Sequence, residues 1–457
     1  MESILKLLRF IWGRMASEHP SLHTVSGESL TVIHPGIPAE EDNGADFLNA
    51  TLLVENTRIK GNIKILKCSS DWYKWNDNTA KNGIVLVLTF QPDIPRLTSP
   101  TGTPIPIFRP AVGKELADRH NRLTQERQHL CCRLLGNYDN LKQYHLFSRL
   151  VVERIENKCL RIENIYKKRN SWNDTALFCL FDTINIGNTR NRKRFNHLLE
   201  TIGFNDIIKN LVPTGSTPED IETSKQKIEA LLLGTAGFLD LKPKPGDNFP
   251  FILDSYVYQM RETFHNLRHI FQITPMRLTE WDHSCFNKNL TLSILLAQLA
   301  AILAEHPNLY HEILEADDIF SIKKLLRADT SVYWHTHNAP NTETPFTETH
   351  RQLSEGKINI FIINFIIPFL FLHHQLNGQN DENNDYEIAE KLIGLLENTP
   401  GESNYITNKW NTHIPIDNAF YSQAIIELQK KYCALDNCFD CPIGIDYLKG
   451  NAVPGNK

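Results

Sequence analysis

The chain has 457 residues, of which 41% are hydrophobic and 22% are charged, with a formal net charge of -5 at pH 7. This length and composition predict a globular protein with more than one packed core, and they exclude a disordered or fibrous chain. The slight acidic excess excludes a general electrostatic attraction to nucleic acid or anionic membranes, so contact with a polyanion would need a local basic patch.

The first fifteen residues (MESILKLLRFIWGRM) predict an amphipathic helix. Lys6 and Arg9 interrupt the apolar run, which is untypical of a secretory signal. The apolar residues recur at helical spacing and share one face: Ile4, Leu7, Leu8, Ile11 and Trp12.

Residues 21–110 predict a β-rich module of short strands separated by turn residues. Three strands are the clearest: Leu48–Glu55, Ile59–Lys67 and Gly83–Phe90. Their succession predicts an antiparallel meander with one face packed on a helix. The proline-dense segment Pro92–Pro110 predicts the boundary of this module.

After Gly113 the spacing of apolar residues becomes helical for most of the chain. The clearest segments are Leu146–Tyr166, Ser224–Leu233, Leu290–Glu305, Ile358–Leu372 and Asn418–Cys433. Pro and Gly cluster between Leu241 and Pro250, which indicates a break in the helical region. We therefore predict an α+β protein with three parts, residues 1–113, 114–245 and 246–457, and a solvated loop at Asn377–Asp385.

The segment Ile358–Leu372 (INIFIINFIIPFLFL) is the second candidate for membrane insertion after the N-terminus. It is shorter than the roughly 20 residues that span a bilayer, and it contains Asn359, Asn364 and Pro368. We predict a buried core helix and no membrane partner.

Nine cysteines and no recognisable export signal predict reduced thiols in the cytoplasm. Three of them, Cys433, Cys438 and Cys441, form C-x4-C-x2-C with Pro442 after the last. Thiolates at this spacing can bind zinc or corners of an iron–sulfur cluster, while three buried thiols after a helix is the alternative. The sequence identifies no fourth ligand; the candidates are Cys68, Cys285, His337 and His413.

A run of basic residues is the best candidate for contact with nucleic acid. It comprises Arg190, Arg192, Lys193 and Arg194. The alternative interpretation is the solvated start of a helix.

An aromatic and imidazole group follows the helix predicted at Ile319–Leu326. Its members are Tyr333, Trp334, His335 and His337. One interpretation is that they bind a ligand in a loop. The alternative is a structural role, in which the tryptophan is packed and the histidine is hydrogen-bonded.

Several short motifs together resemble an uncharacterised bacterial family, domain of unknown function 2851. The motifs are Gly44–Ala50 (GADFLNA), Gly61–Ile63 (GNI), Ser69–Tyr73 (SSDWY), Tyr333–His337 (YWHTH), Ile366–Phe371 (IIPFLF), Asn418–Ala419, Ser422–Ala424 and the final cysteines. The resemblance covers essentially the whole chain. It implies no established activity.

The resemblance implies a layout similar to that of restriction-endonuclease-like phosphodiesterases. In such a layout carboxylates on adjacent strands bind a divalent metal that activates water. Asp46 occupies the first acidic position, while the next strand presents Lys64, Leu66 and Cys68 where the family presents Glu, His and Lys. Val87 replaces an expected histidine. A lysine cannot serve as the oxygen ligand that the metal needs.

We therefore expect a non-catalytic binding or scaffold protein with a degenerate endonuclease-like module and a protein or nucleic-acid partner. One alternative is a metal-dependent nuclease or phosphodiesterase in which Glu41, Asp42 or Asp71 assists Asp46. Another is a zinc or iron–sulfur enzyme centred on the C-terminal cysteines. The sequence contains no Walker phosphate loop, dinucleotide fingerprint, nucleophile elbow or zinc helix motif.

Overall fold

The computed structural model describes residues 2–16, 22–39, 44–75, 77–126, 128–184, 188–202, 210–212, 217–241, 253–284, 291–344, 351–378 and 382–452. The chain divides into two compact units. The first unit comprises Met1–Leu146, Asn408–Pro415 and Ile426–Lys457, and the second comprises Phe147–Thr407 and Ile416–Ile425. The division into three parts stays a prediction, and nearly all of its break at residues 241–250 lies outside the described residues.

The described helices are α1 Glu2–Met15, α2 Asp71–Lys74, α3 Asn78–Asn82, α4 Lys114–Glu126, α5 Gln128–Leu135, α6 Asn140–Arg169, α7 Trp172–Thr183, α8 Thr189–Ile202, α9 Pro218–Thr235, α10 Ser255–Phe271, α11 Leu292–Glu305, α12 Leu309–Glu315, α13 Ile319–Leu326, α14 Glu355–Phe361, α15 Ile367–Asn377, α16 Glu382–Glu397, α17 Tyr405–Asn411, α18 Ala419–Leu428 and α19 Pro442–Lys449. The described part of the chain also contains two π-helical turns, Ile362–Ile366 and Gln429–Cys433, and two 3₁₀ turns, Leu278–Glu280 and Val332–His335.

The described strands are β1 Leu22–His23, β2 Ser29–His34, β3 Ile37–Pro38, β4 Phe47–Val54, β5 Thr57–Cys68, β6 Ile84–Gln91, β7 Leu97–Thr98, β8 Pro104–Ile105, β9 Ile107–Phe108, β10 His337–Ala339 and β11 Thr342–Glu343. One sheet of the first unit has the order β1-β2-β4-β5-β6-β9, with β3 paired to β4. The prediction of an α+β protein, with a β-rich N-terminal part and a large helical part, is confirmed.

The predicted antiparallel meander is correct for two of its three strands. β4 and β5 pair antiparallel, but β6 runs parallel to β5. A parallel neighbour requires a crossover connection, and α2 and α3 lie in it. Asp77 starts α3 because its side chain accepts the backbone N–H groups of Thr79 and Ala80.

Both faces of this sheet are covered. On one face, Leu8 and Trp12 of α1 join a buried cluster with Phe47, Ile63 and Leu86, which confirms the predicted amphipathic helix. The opposite face packs around a second buried cluster that contains Trp72, Leu66 and Val87. The strand residues therefore alternate between two cores, as the two-residue period of a strand requires.

In the second unit, α11 is buried along nearly its whole length, from Leu292 to Ala304. It packs against α9, which also packs against α10. The predicted loop Asn377–Asp385 is wrong in its last four residues, which begin α16, and residues 379–381 lie outside the described part.

The predicted core helix at Ile358–Leu372 is part of a longer continuous helix, Glu355–Asn377. Among the described residues, this one helix is long and apolar enough to cross a membrane. Helices α11 and α12 together would also meet these criteria of length and hydropathy if the bent pair counted as one span. Of the most apolar window in Glu355–Asn377, 61% is buried within the protein, as is typical of a core helix. A π-helical turn at Ile362–Ile366 precedes Pro368, which lacks the backbone N–H of a regular helix.

Candidate functional site

Asp46 immediately precedes β4 and is fixed to the neighbouring strand β5. Its backbone N–H donates to the carbonyl of Ile63 at 2.8 Å. Its carboxylate oxygen Oδ2 accepts the backbone N–H of Ile65, also at 2.8 Å. These two contacts fix Asp46 against the neighbouring strand β5.

The ammonium group of Lys64 lies beside this carboxylate. Its Nζ atom is 3.4 Å from Oδ2 of Asp46, and both side chains are 21% exposed. The same atom lies 4.9 Å from the ring centre of Trp75, where the π-electrons favour a cation. In the sheet Lys64 pairs with Val87, which is completely buried.

A second cation approaches Asp46 from α1. Nη1 of Arg9 lies 4.0 Å from Oδ1 of Asp46. Nη2 of Arg9 donates to the backbone carbonyls of Ala39 and Asp46. The Asp46 carboxylate therefore has an ammonium and a guanidinium group as neighbours, and both offset its negative charge.

The other acidic candidates add no ligand in the described part of the chain. Glu41 and Asp42 lie outside it. Asp71 accepts hydrogen bonds from the ammonium of Lys74 at 2.7 Å and from the backbone N–H of Cys68 at 3.2 Å, and both bonds lower the pKa of its carboxyl group. On β5, Leu66 lies at another position where the resemblance implies a catalytic residue, and its side chain is buried in the second cluster.

A cleft of about 580 Å³ in the same unit borders Arg9. Its basic wall is formed by Lys6, Arg9 and Arg14 of α1. Aromatic side chains and one acidic side chain complete it, among them Phe10, Phe47, Phe439 and Asp440. The chain as a whole is slightly acidic, but this cleft forms a local basic patch close to Asp46.

The basic run at the start of α8 is largely engaged within the second unit. Arg190 donates to the backbone carbonyls of Thr279 and Glu280. Arg192 pairs with Asp182 at 3.1 Å, and Arg194 pairs with the Glu280 carboxylate at 2.7 Å. Lys193 is exposed. Three of the four candidate phosphate ligands therefore hold α8 in place.

The aromatic and imidazole group forms part of a buried network rather than a loop. Trp334 is completely buried in the 3₁₀ turn, and His337 begins β10 and is 9% exposed. The His337 ring stacks on Tyr333 at 3.9 Å, and its Nε2 lies 3.5 Å from Asp254. His335 lies 3.6 Å from Asp329.

The centre of this network is Glu229 of α9, a residue that the sequence did not single out. Its fully buried carboxylate accepts hydrogen bonds from Tyr256 Oη at 2.5 Å, Trp334 Nε1 at 2.9 Å and Ser331 Oγ at 2.9 Å. Burial raises the pKa of Glu229 to about 7, and the hydrogen bonds oppose that rise. The sequence feature that could have indicated Glu229 is its position as the single acidic residue in the apolar run Ile228–Leu233.

The C-terminal cysteines belong to the first unit, and none of them forms a disulfide with another described residue. Cys441 is buried, while Cys433 and Cys438 are partly buried. Of the candidate fourth ligands, Cys285 lies outside the described residues. Within the described part of the chain, no group of three or more His, Cys, Asp or Glu side chains is arranged to hold a single metal ion.

Cys131 of α5, which the sequence did not single out, is buried, and α5 packs against α19, the helix that follows Cys441. Burial raises the pKa of Cys131, and the nearby thiols of Cys441, Cys433 and Cys438 raise it further, in that order. Burial likewise raises the pKa of Cys433 to about 12, with added effects from Cys441 and Cys438.

Comparison with known proteins gives one match. The family described as protein of unknown function (DUF2851) matches residues 6–405. The Asp46 site and the Glu229 network lie within this range, and the C-terminal cysteines lie beyond it. No curated protein and no solved structure matches the chain.

Proposed function

Because the chain belongs to the DUF2851 family, whose description names no activity, we propose a function from the geometry of the first unit. The protein is a non-catalytic binding protein built on an endonuclease-like module that has lost its catalytic metal site. The observation that carries this proposal is the ion pair between Lys64 and Asp46.

The arrangement of β4 and β5 supports the endonuclease-like part of the proposal. Asp46 stands at the start of one strand, and Lys64 stands on the hydrogen-bonded neighbour at the position of a metal-binding carboxylate. The two side chains face each other as two metal ligands would. This placement on neighbouring strands is the support for the endonuclease-like part of the proposal.

The chemistry of Lys64 supports the non-catalytic part. Mg²⁺ binds oxygen ligands and is repelled by a neighbouring ammonium group. Lys64 supplies a positive charge 3.4 Å from the carboxylate oxygen, and Arg9 adds another at 4.0 Å. The cations neutralise Asp46 in place of a divalent ion, so no metal-bound hydroxide forms there.

The basic wall of the cleft supports a role in binding. Lys6, Arg9 and Arg14 line one side, and aromatic rings line another, which suits an anionic partner with flat groups, such as nucleic acid. An acidic protein segment is the alternative partner. Replacing Arg14 by Ala should weaken binding of single-stranded DNA or RNA in a salt-dependent manner if nucleic acid is bound.

A cytoplasmic location is part of the same proposal. The described cysteines form no disulfides with one another, as is typical of a reducing compartment: Cys68, Cys131, Cys132, Cys159, Cys179, Cys433, Cys438 and Cys441. Fractionation of cells expressing the full chain would test it, and recovery in the membrane or exported fraction would contradict it.

The central experiment is a metal-dependent cleavage assay on the full chain. Labelled single- and double-stranded DNA and RNA are incubated with Mg²⁺ or Mn²⁺, and titration calorimetry measures divalent-ion binding in parallel. We expect neither cleavage nor binding that depends on Asp46. Cleavage by the native protein that is abolished in Asp46→Ala would overturn the proposal in favour of a metal-dependent nuclease.

A further inference from the structure

The second unit contains an apolar cleft that the proposed function does not use. The apolar cleft has a volume of about 410 Å³ and is lined by α6, α15 and α16, with Phe420 from α18. This volume lies within the range of about 300–1,000 Å³ that is typical of small-molecule sites. Most of the wall is aliphatic or aromatic: Val151, Val152, Ile155, Phe371, Ile388 and Leu392.

The periodicity of the helices brings these apolar side chains to the apolar cleft. Val151, Val152 and Ile155 lie within four residues of one another on α6, and Ile388 and Leu392 are one turn apart on α16. Val152 is 44% exposed although it lines a concave surface. An apolar ligand that covers such a side chain gains the free energy of removing it from water.

Four polar residues also line the apolar cleft: Ser148, His374, Gln375 and Asp385. Nε2 of His374, in the last turn of α15, lies 2.6 Å from Oδ1 of Asp385 on α16. The His374 side chain is 16% exposed and the Asp385 side chain is 66% exposed. The histidine therefore holds an exposed carboxylate at the edge of an apolar wall.

Gly378, the C-cap residue of α15, keeps the chain close to His374. Its backbone N–H donates to the carbonyl of His374 at 2.7 Å. A Cβ atom at this position would lie 2.5 Å from that oxygen and 3.2 Å from the imidazole ring. Glycine therefore allows the helix end to close against the ring that positions Asp385.

The polar groups that remain available favour a hydrogen-bond donor. Oδ2 of Asp385 and the side-chain amide of Gln375 have no hydrogen-bond partner within the described part of the chain. Of the described residues that line the apolar cleft, none is a lysine or an arginine. The Asp385 carboxylate would attract an ammonium group and repel a carboxylate.

We propose that the apolar cleft binds a small organic amine. The apolar body of the ligand lies between α6 and α16, and its ammonium group donates to Oδ2 of Asp385. His374 acts as a positioning residue for this carboxylate. The site belongs to the second unit, so the inference does not depend on the Asp46 site or on the proposed function.

The test uses three probes with the same eight-carbon chain, octylamine, octanol and octanoate, and titration calorimetry on the full chain. At about pH 8 an alkylamine is protonated, as the lysine side chain is. We expect one octylamine per chain, bound about threefold or more tightly than octanol, with octanoate the weakest. Absence of octylamine binding, or binding of octanol or octanoate as tight as that of octylamine, would overturn the proposal.

Asp385→Asn tests the contact with the ammonium group. Asparagine retains an oxygen acceptor for His374 but removes the charge. We expect octylamine binding to weaken by about threefold or more and octanol binding to stay unchanged. Glu387→Gln is the matched control, because Glu387 is an exposed acid of the same helix that does not line the apolar cleft. An equal loss of octylamine affinity in the two variants would exclude a specific contact with Asp385.

A second pair of variants tests the location of the ligand. Val152→Trp fills the apolar cleft from α6 and should abolish binding of octylamine and octanol. Leu160→Trp is the control, because Leu160 is 58% exposed on the same helix and does not line the apolar cleft. Circular dichroism monitors folding, and Ala389→Phe, which fills the apolar cleft from α16, replaces Val152→Trp if that chain is unfolded. Native affinity in a folded variant with a filled cleft would overturn the proposal.

Discussion

Nζ of Lys64 lies 3.4 Å from Oδ2 of Asp46, and the same oxygen accepts the backbone N–H of Ile65. The lysine and the strand backbone therefore share one carboxylate oxygen. A divalent ion at this oxygen would have to displace the ammonium group. The pair thus connects the local fold of β4 and β5 with the proposed loss of metal binding.

Replacing the lysine by an acid should create a divalent-ion site. In Lys64→Glu two carboxylates face each other across neighbouring strands, and oxygen ligands of this kind bind Mn²⁺. At saturating Mn²⁺ we expect the free energy of unfolding of this variant to rise by about 1 kcal/mol or more. Urea denaturation with and without Mn²⁺ measures the change.

Lys67→Glu is the matched control, because Lys67 is an exposed residue of the same strand. It introduces the same charge change and should show no response to Mn²⁺. Adding Asp46→Asn to Lys64→Glu should remove the response. A native protein that is stabilised by Mn²⁺ as strongly as Lys64→Glu would contradict the prediction.

The ion pair itself should make a measurable contribution to stability. A double-mutant cycle with Asp46→Asn and Lys64→Met isolates the interaction, and for this partly exposed pair we expect a coupling energy of about 0.5–1 kcal/mol. The coupling should decrease at high salt. Urea denaturation of the four proteins provides the values.

The pair of Asp71 and Lys74 is a suitable control for that cycle. Its N···O distance is shorter, 2.7 Å, but Lys74 is 76% exposed. Solvent should reduce its coupling to nearly zero despite the short distance. A larger coupling for the exposed pair than for Asp46 and Lys64 would show that burial does not determine the strength of these interactions.

Much of the β module could be predicted because its strands carry local signals. The apolar runs of β4, β5 and β6 are bounded by turn residues. The alternation along β5 places Lys64 on one face of the sheet and Ile63 and Ile65 on the other. The direction of β6 could not be predicted in the same way. It depends on whether the residues between β5 and β6 form a tight turn or a crossover, and the crossover contains α3, which Asp77 caps.

The remaining sites depend on contacts between distant residues, which no local pattern encodes. Glu229 looks like an isolated acid in an apolar run until Tyr256, Ser331 and Trp334 supply its donors. Cys131 has no motif of its own and becomes notable through the packing of α19 on α5. The sequence could indicate residue types for these sites but not their partners.

The Glu229 network should make stability depend on pH. Burial raises its pKa to about 7 in the folded protein, while an unfolded glutamate titrates at 4.5. The folded state therefore binds the proton more tightly, so the stability from this group is fully present below pH 4.5 and is lost as pH rises to about 7. The difference corresponds to about 3 kcal/mol.

Glu229→Gln removes the titrating group and should flatten this part of the stability profile. The measurement is urea denaturation at several pH values, with comparison of slopes rather than of absolute stabilities, since glutamine cannot accept all of the hydrogen bonds that the carboxylate accepts. Glu219→Gln, an exposed residue of the same helix, should leave the slope unchanged. Parallel profiles for the native protein and Glu229→Gln would contradict the assignment.

The contact between Gly444 and Cys438 should make this glycine intolerant of a side chain. The Cβ atom of Gly444→Ala would lie 2.0 Å from a backbone carbonyl oxygen, which cannot move away as a flexible side chain would. We expect a loss of about 2 kcal/mol or more in the free energy of unfolding.

Gly394→Ala is the control, because Gly394 lies within α16 with no atom near its Cβ position, and alanine there should stabilise the helix by about 0.5–1 kcal/mol. Opposite signs in urea denaturation would establish that the loop of Cys438 is held against α19, and similar values for the two variants would show that it is not.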